Sequence, residues 1–189
     1  MQNFETLQEE YKSCMRCEKL CQSRTQVVFG SGNKEAKILL IGESPGSHED
    51  IEGVPFCGAS GQVLNQLLES VGLKREDIFI TNTILCHPEK NRNPDKEEVE
   101  NCRGRLDALI GIMQPRVIVT IGNFATDRII QKKGITTIHG QVFPTILNNI
   151  SLDVVPVIHP ANFLYQGRNP QLFESMKKDF EGIARLAKM

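Results

Sequence analysis

Two thiols separated by two residues, Cys14-Met15-Arg16-Cys17, can converge on one metal from a single tight turn. Thioredoxin-like redox chemistry places such a pair after a strand and at the opening of a helix. Here the pair follows a polar, helix-patterned segment with no strand before it, which favours ligation over disulfide exchange. A metal then needs two further ligands, and Cys86 and Cys102 are the candidates. Taken singly, Cys57, Cys86 and Cys102 read as small buried hydrophobes, the commonest fate of a free cysteine. Three polar clusters also stand out: Gly42-Glu43-Ser44-Pro45-Gly46, Asn82 to Cys86, and His159-Pro160-Ala161-Asn162. Each begins where an apolar run ends.

Those apolar runs are the elements that must position the clusters. Lys37–Gly42, Ile78–Ile84, Val117–Gly122 and Val154–Ile158 have the form of buried parallel strands. Pro156 argues for an edge or irregular position for the last. Between them, Val63, Leu64, Leu67, Leu68 and Val71 mark one face of a helix stopped by Gly72. Asp95 caps a long helix with Val99, Cys102, Leu106, Leu109 and Met113 inward, and Asn123 caps another running through Ile130. Pro170 to Lys188 reads as a closing helix, while Glu43–Gly61 and Cys86–Pro94 read as loops. Alternating strands and helices predict an α/β fold, a three-layer α/β/α sandwich around a central, mostly parallel four-stranded sheet. One domain over residues 1–189 is expected, with no internal repeat or linker. Ligands of such sheets bind beyond the carboxyl ends of the strands, where the three clusters lie.

Composition narrows the function further. Lys and Arg number 22 against 23 Asp and Glu, for a net charge of -1, which excludes a polyanion binder acting through bulk charge. A local basic patch remains compatible with it. With 40% hydrophobic and 24% charged residues the chain reads as globular. No apolar run approaches the roughly 20 residues that cross a bilayer, and the polar, acidic N-terminus has neither signal- nor transit-peptide character. A cytoplasmic, reducing location is expected, where a disulfide framework is disfavoured.

The clusters resemble the motifs of a known family. Gly42-Glu43-Ser44-Pro45-Gly46, then Glu49-Asp50 and Gly53-Val54-Pro55-Phe56-Cys57-Gly58-Ala59-Ser60-Gly61, resembles the first motif of the family-four uracil-DNA glycosylases. These are iron–sulfur enzymes of bacteria, archaea and phages. Ile80-Thr81-Asn82 before Cys86, followed by Asn91-Arg92-Asn93-Pro94, is similar to the second stretch, and His159-Pro160 to the closing motif. The resemblance implies a monofunctional hydrolase that frees uracil from DNA and leaves an abasic site for base excision repair. It also implies a 4Fe-4S cluster on Cys14, Cys17, Cys86 and Cys102, spaced here by 2, 68 and 15 intervening residues. Zinc on the same four thiols is the alternative metal. Cys21 and Cys57 fall outside the set.

The implied partner is DNA with one flipped uracil nucleotide, bound by a monomer with no membrane and no nucleotide cofactor. Phe56 would stack on the flipped base. The Asn82 carboxamide would accept from uracil N3–H and donate to O4, a pattern cytosine reverses. His159 would donate to uracil O2 as negative charge builds there. Glu43 and Glu49 would orient water or offset charge on the sugar, with Asn91 in support and Ser44 beside the base. Arg92 reads as a phosphate contact. Leu85, His87 and Leu164-Tyr165 stand where the family commonly has cations, which predicts a weaker phosphate grip. Ser44, where Ala or Gly is commoner, leaves hypoxanthine or xanthine as a possible base. A non-catalytic DNA-binding or replication-accessory module is the reading from another class.

Overall fold

The computed structural model describes residues 2–188. Helix α1 (Phe4–Lys12) opens with a reciprocal cap between Asn3 and Thr6 and is followed by α2 (Glu18–Ser23). Strands β1 (Ser31–Gly32) and β2 (Ile38–Gly42) precede α3 (Ser47–Glu52) and α4 (Ala59–Ser70). Then come β3 (Ile78–Asn82), α5 (Lys96–Met113), β4 (Val117–Ile121), α6 (Gly122–Ile130) and α7 (Ile135–Ile138). The hairpin of β5 (Phe143–Leu147) and β6 (Ile150–Val157) leads to α8 (Ala161–Tyr165) and α9 (Pro170–Lys188).

The sheet runs β1-β3-β2-β4-β6-β5. Its parallel core, β3-β2-β4-β6, consists of the four strands expected from the apolar runs. The sheet nevertheless has six strands, not four. The two additions are antiparallel edges, β1 on β3 and β5 on β6. Strand β1 is too short to carry a pattern, and β5 contains Pro144, which an edge strand tolerates. The β5–β6 turn is Asn148-Asn149, both at positive φ, the backbone a tight hairpin requires. Strand β6 is therefore not an edge. Pro156 sits past Val154, where the β5 pairing stops, so its missing N–H breaks no ladder bond on that side; its carbonyl accepts from Gly140 N–H there.

Alternate residues of the central strands face two apolar layers. Leu39, Ile41, Phe79, Ile118 and Val154 pack with α1, α5 and α6 through Leu7, Leu106, Leu109 and Ile129. Leu40, Ile80, Val119 and Val157 pack with α4 and α9 through Leu64, Leu67, Phe180 and Ile183. Each such side chain contributes roughly 1.5–3 kcal/mol on burial. That fixes the strand ends on which the site depends. Among the described residues no helix is long and apolar enough to cross a membrane.

Two local expectations are corrected. The Glu43–Gly61 segment is not loop throughout, because Ser47–Glu52 forms α3, ended by Gly53 at φ +72. Asn123 does not cap α6. Gly122, at φ +84, turns the chain directly from β4 into that helix, and the Asn123 Oδ1 instead accepts from the backbone N–H groups of Gly134 and Ile135 ahead of α7.

Candidate active site

Strands β2 and β3 end side by side, with Gly42 paired to Asn82. Gly42 cannot be larger: a Cβ there would stand 2.3 Å from Asn82 Oδ1 and 2.9 Å from Phe56 Cε2. The Phe56 ring in turn lies 5.8 Å from the His159 ring, centre to centre, tilted by 30°. Phe56, Asn82 and His159 thus meet at one rim from three distant stretches of chain. Asn82 is only 2% exposed, yet the hydrogen bonds at this strand end use its carbonyl and not its carboxamide. Among the described residues the carboxamide has no hydrogen-bond partner and is not fully enclosed, so a ligand can reach it.

Phe56 is held in a backbone conformation that a bulky residue resists, φ +52, at a cost of about 1–2 kcal/mol. Arg75 compensates. Its Nη1 donates to Pro55 O at 3.2 Å and its Nη2 to Phe56 O, while Nε is fixed by Asn65 Oδ1 at 2.7 Å. Gly61 closes the same turn, since a Cβ there would fall 1.7 Å from Phe56 O. Nothing in the sequence marks Arg75, because its partners are backbone carbonyls 20 and 19 positions away.

The protonation of His159 follows from its contacts. Its Nδ1 accepts from the Ala161 N–H at 3.1 Å, so the proton of the neutral ring lies on Nε2. Burial lowers its pKa to about 4. It is a neutral imidazole at pH 7, with a donor free to face a ligand. His159 shares a cleft of about 900 Å³ with Glu43, Gly122, Asn123 and Asn162, and with Lys96 and Arg103 further out. Desolvation raises the Glu43 pKa above the ordinary carboxylate value.

Glu49 and Asn91 meet elsewhere. The buried Glu49 carboxylate folds back over Gly46, where a Cβ would lie 2.6 Å from its Oε2 and 4.0 Å from Asn91 Oδ1. The pair therefore flanks the Gly42–Gly46 loop outside the cleft that holds Glu43 and His159, and half-buried Ser44 lies between. His87 braces that loop from behind. Its Nδ1 donates to Pro45 O at 2.9 Å, since a carbonyl can only accept. His87 and Leu85 are both buried, while Tyr165 is 85% exposed. Arg92 is not a free phosphate contact. Its guanidinium is spread on Glu98 at 2.9 and 2.6 Å, and this pairing holds the Glu98 carboxyl below the usual range.

The four candidate ligands come from three segments. Cys14 and Cys17 flank the α1–α2 turn, Cys86 follows β3, and Cys102 lies on α5. All four pack into one apolar cluster, Cys86 and Cys102 fully and the other two at its margin, and all are free thiols. Burial pushes the Cys86 thiol up to about 12. N–H donors already point at this group. Arg24 Nη1 donates to Cys86 Sγ at 3.0 Å and its Nη2 to Cys14 O, and Asn101 Nδ2 donates to Cys17 Sγ at 3.4 Å. Donors of this kind stabilise negative charge on metal-bound sulfur, so the donor set fits a thiolate-ligated iron–sulfur cluster. Among the described residues no three His, Cys, Asp or Glu side chains are grouped tightly enough to hold a single ion. Arg24 carries no sequence signal, but Arg105, a charge on the apolar stripe three residues after Cys102, does.

Comparison with known proteins supplies the family. The family described as the uracil DNA glycosylase superfamily matches residues 29–181. The chain is 40% identical to a type-4 uracil-DNA glycosylase of Sulfurisphaera tokodaii, over 99% of this chain and 86% of that one. It is 38% identical to the type-4 enzyme of Archaeoglobus fulgidus, over 98% and 94% of the two chains, and 36% to that of Thermotoga maritima, over 94% and 91%. The chain therefore belongs to the uracil DNA glycosylase superfamily, within its type-4 branch.

Proposed function

We propose that this chain hydrolyses the N-glycosidic bond of deoxyuridine in DNA, releasing uracil as the first step of base excision repair. The observation that carries the reading is that Asn82 and Phe56 meet at Gly42 while the Phe56 ring lies beside His159. Phe56 offers a ring for the flipped base, worth about 1–3 kcal/mol of stacking. The Asn82 carboxamide reads N3–H and O4, and a wrong base leaves buried polar groups unpaired at about 1–3 kcal/mol each. His159 Nε2–H faces O2, where charge accumulates as the bond to the sugar breaks. Tyr165, exposed on α8 six residues after His159, is placed to fill the gap the flipped base leaves in the duplex. Hydrolysis needs only water, so no nucleotide cofactor enters, and we take the enzyme to act as a monomer in the cytoplasm.

Water activation is assigned to Glu43: the Glu49 carboxylate is folded over Gly46, whereas Glu43 follows Gly42 directly and shares a cleft with His159. Its raised pKa suits a base more than an inert charge. Glu49 and Asn91 support the motif loop and the sugar. Glu43→Gln lowers the single-turnover rate more than Glu49→Gln does; the reverse order moves the water to the Glu49–Asn91 pair.

Cys14, Cys17, Cys86 and Cys102 would hold a 4Fe-4S cluster. When bound, it supplies cross-links between three segments and local negative charge, since hydrolysis transfers no electrons. The test of the whole reading is incubation with uracil-containing and normal oligonucleotides, single- and double-stranded, followed by alkaline cleavage. Breaks at uracil alone support it. Binding without breaks makes the chain a non-catalytic DNA-binding module, and breaks at hypoxanthine or xanthine in place of uracil change its substrate.

A further inference from the structure

Arg105 has no solvent-exposed surface. It lies on the inward face of α5, one turn beyond Cys102. Its Nη2 donates to Asn82 O at 2.6 Å and Thr83 O at 3.2 Å, and its Nη1 to Thr81 Oγ1 at 3.2 Å. Its Nε has no partner, and among the described residues no carboxylate pairs with it. A guanidinium enclosed without a counter-charge is expensive, and folds that retain one normally supply an anion. The acidic side chains whose field reaches it are Cys102, Tyr11 and Cys86. Two of those three belong to the cysteine quartet. Arg128, which also acts on it, is a cation already engaged by Asp107.

Resting on the reading of Asn82 and the quartet given above, we propose that Arg105 is a positioning residue linking the metal centre to base recognition. Thiolates of the filled centre supply the counter-charge that the rest of the fold withholds. In return, the guanidinium fork fixes the Asn82–Thr83 peptide from which the reading carboxamide projects. No chemical step passes through the metal, yet the accuracy with which the base is held depends on it. This gives the cysteine centre a role beyond cross-linking.

The test compares Arg105→Gln and Arg105→Lys with the wild-type holoenzyme. Three quantities are followed: inhibition by free uracil, the KM-against-kcat split on uracil DNA, and the midpoint potential of the cluster. Arg105→Gln keeps its iron and colour, binds free uracil about tenfold more weakly, since a single misplaced polar contact is worth that much, and shifts the potential to more negative values. Removing a nearby positive charge disfavours the added electron. Arg105→Lys keeps the charge but not the fork, so its potential stays near the wild-type value while uracil inhibition still weakens. Iron-loaded Arg105→Gln with wild-type inhibition and potential overturns the link. If that variant does not fold, unchanged uracil inhibition in Arg105→Lys overturns it equally. A wild-type protein that neither releases uracil nor is inhibited by it sinks the underlying reading instead, which separates the two failures.

Discussion

Replacing His159 by Ala lowers the rate of uracil release by on the order of 10²–10³-fold, the usual cost of removing one preorganised donor to a developing anion. Thermal stability and iron content stay close to wild type, because the ring's hydrogen bond to the protein is a single contact from Ala161 N–H. The loss falls on the chemical step and not on DNA affinity, so it appears in single-turnover rates at saturating enzyme. The pH profile adds a second check. The folded ring has a pKa of about 4 against an ordinary 6.5, lowered by burial, so His159 stays neutral and competent down to about pH 4. Acid-side loss between pH 7 and 5 therefore has another source. For folding the sign is fixed as well: the unfolded chain takes up the proton first. The contribution of the neutral ring to stability is complete above about pH 6.5 and is lost as pH falls through 4. A full rate in folded His159→Ala removes His159 from the role, whereas an acid limb near pH 6.5 that this substitution abolishes keeps the role and overturns the lowered pKa.

How much of this was legible in the sequence differs by element. The four parallel strands were, because a strand buried on both faces is a short unbroken apolar run and these end in Gly42, Asn82 or the turn after Ile121. The edge strands were not: two residues at Ser31–Gly32 carry no period, and β5 alternates around a proline. The Asn148-Asn149 turn, by contrast, is a readable hairpin signal. Motif resemblance marks Phe56, Asn82 and His159, but that Asn82 and Phe56 meet at Gly42 with His159 beside the Phe56 ring is a tertiary fact. Glu43 and Glu49 sit six residues apart in one motif and looked equivalent. The structure separates them because α3 turns Glu49 back over Gly46. Arg24 and Arg75 act on sulfur and backbone carbonyls supplied by remote segments, and that kind of role leaves little trace in a single chain, whereas Arg105 shows as a charge on the apolar stripe of α5.

Cys86→Ser is the second large effect. It removes one proposed ligand and the sulfur that receives Arg24, and the expected result is loss of broad visible absorption, loss of iron and sulfide, and destabilisation by more than about 4 kcal/mol. The damage reaches the active site by a traceable route. Helix α1 has its own anchor, since Phe4, Leu7 and Tyr11 are buried against the sheet and α5, and it stays docked. The segment from Ser13 to Thr25 has less: Leu20 is its fully buried apolar side chain, and Arg24 ties it to Cys86 and Cys14. Thr25 and Gln26 are in turn held by the buried Asp50 on α3, through N–H groups at 2.7 and 3.5 Å from its carboxylate. Loosening that segment frees α3, hence Glu49 and the Gly53–Gly61 turn that presents Phe56. Uracil release should therefore fall more than tenfold even in the fraction that remains folded, the scale set by small displacements of positioned groups. Limited proteolysis should cut first between Ser13 and Thr25 and leave the sheet intact. A wild-type protein that is colourless and holds one zinc ion replaces the cluster with the other metal. Cys86→Ser protein that stays brown and active takes Cys86 out of the ligand set altogether.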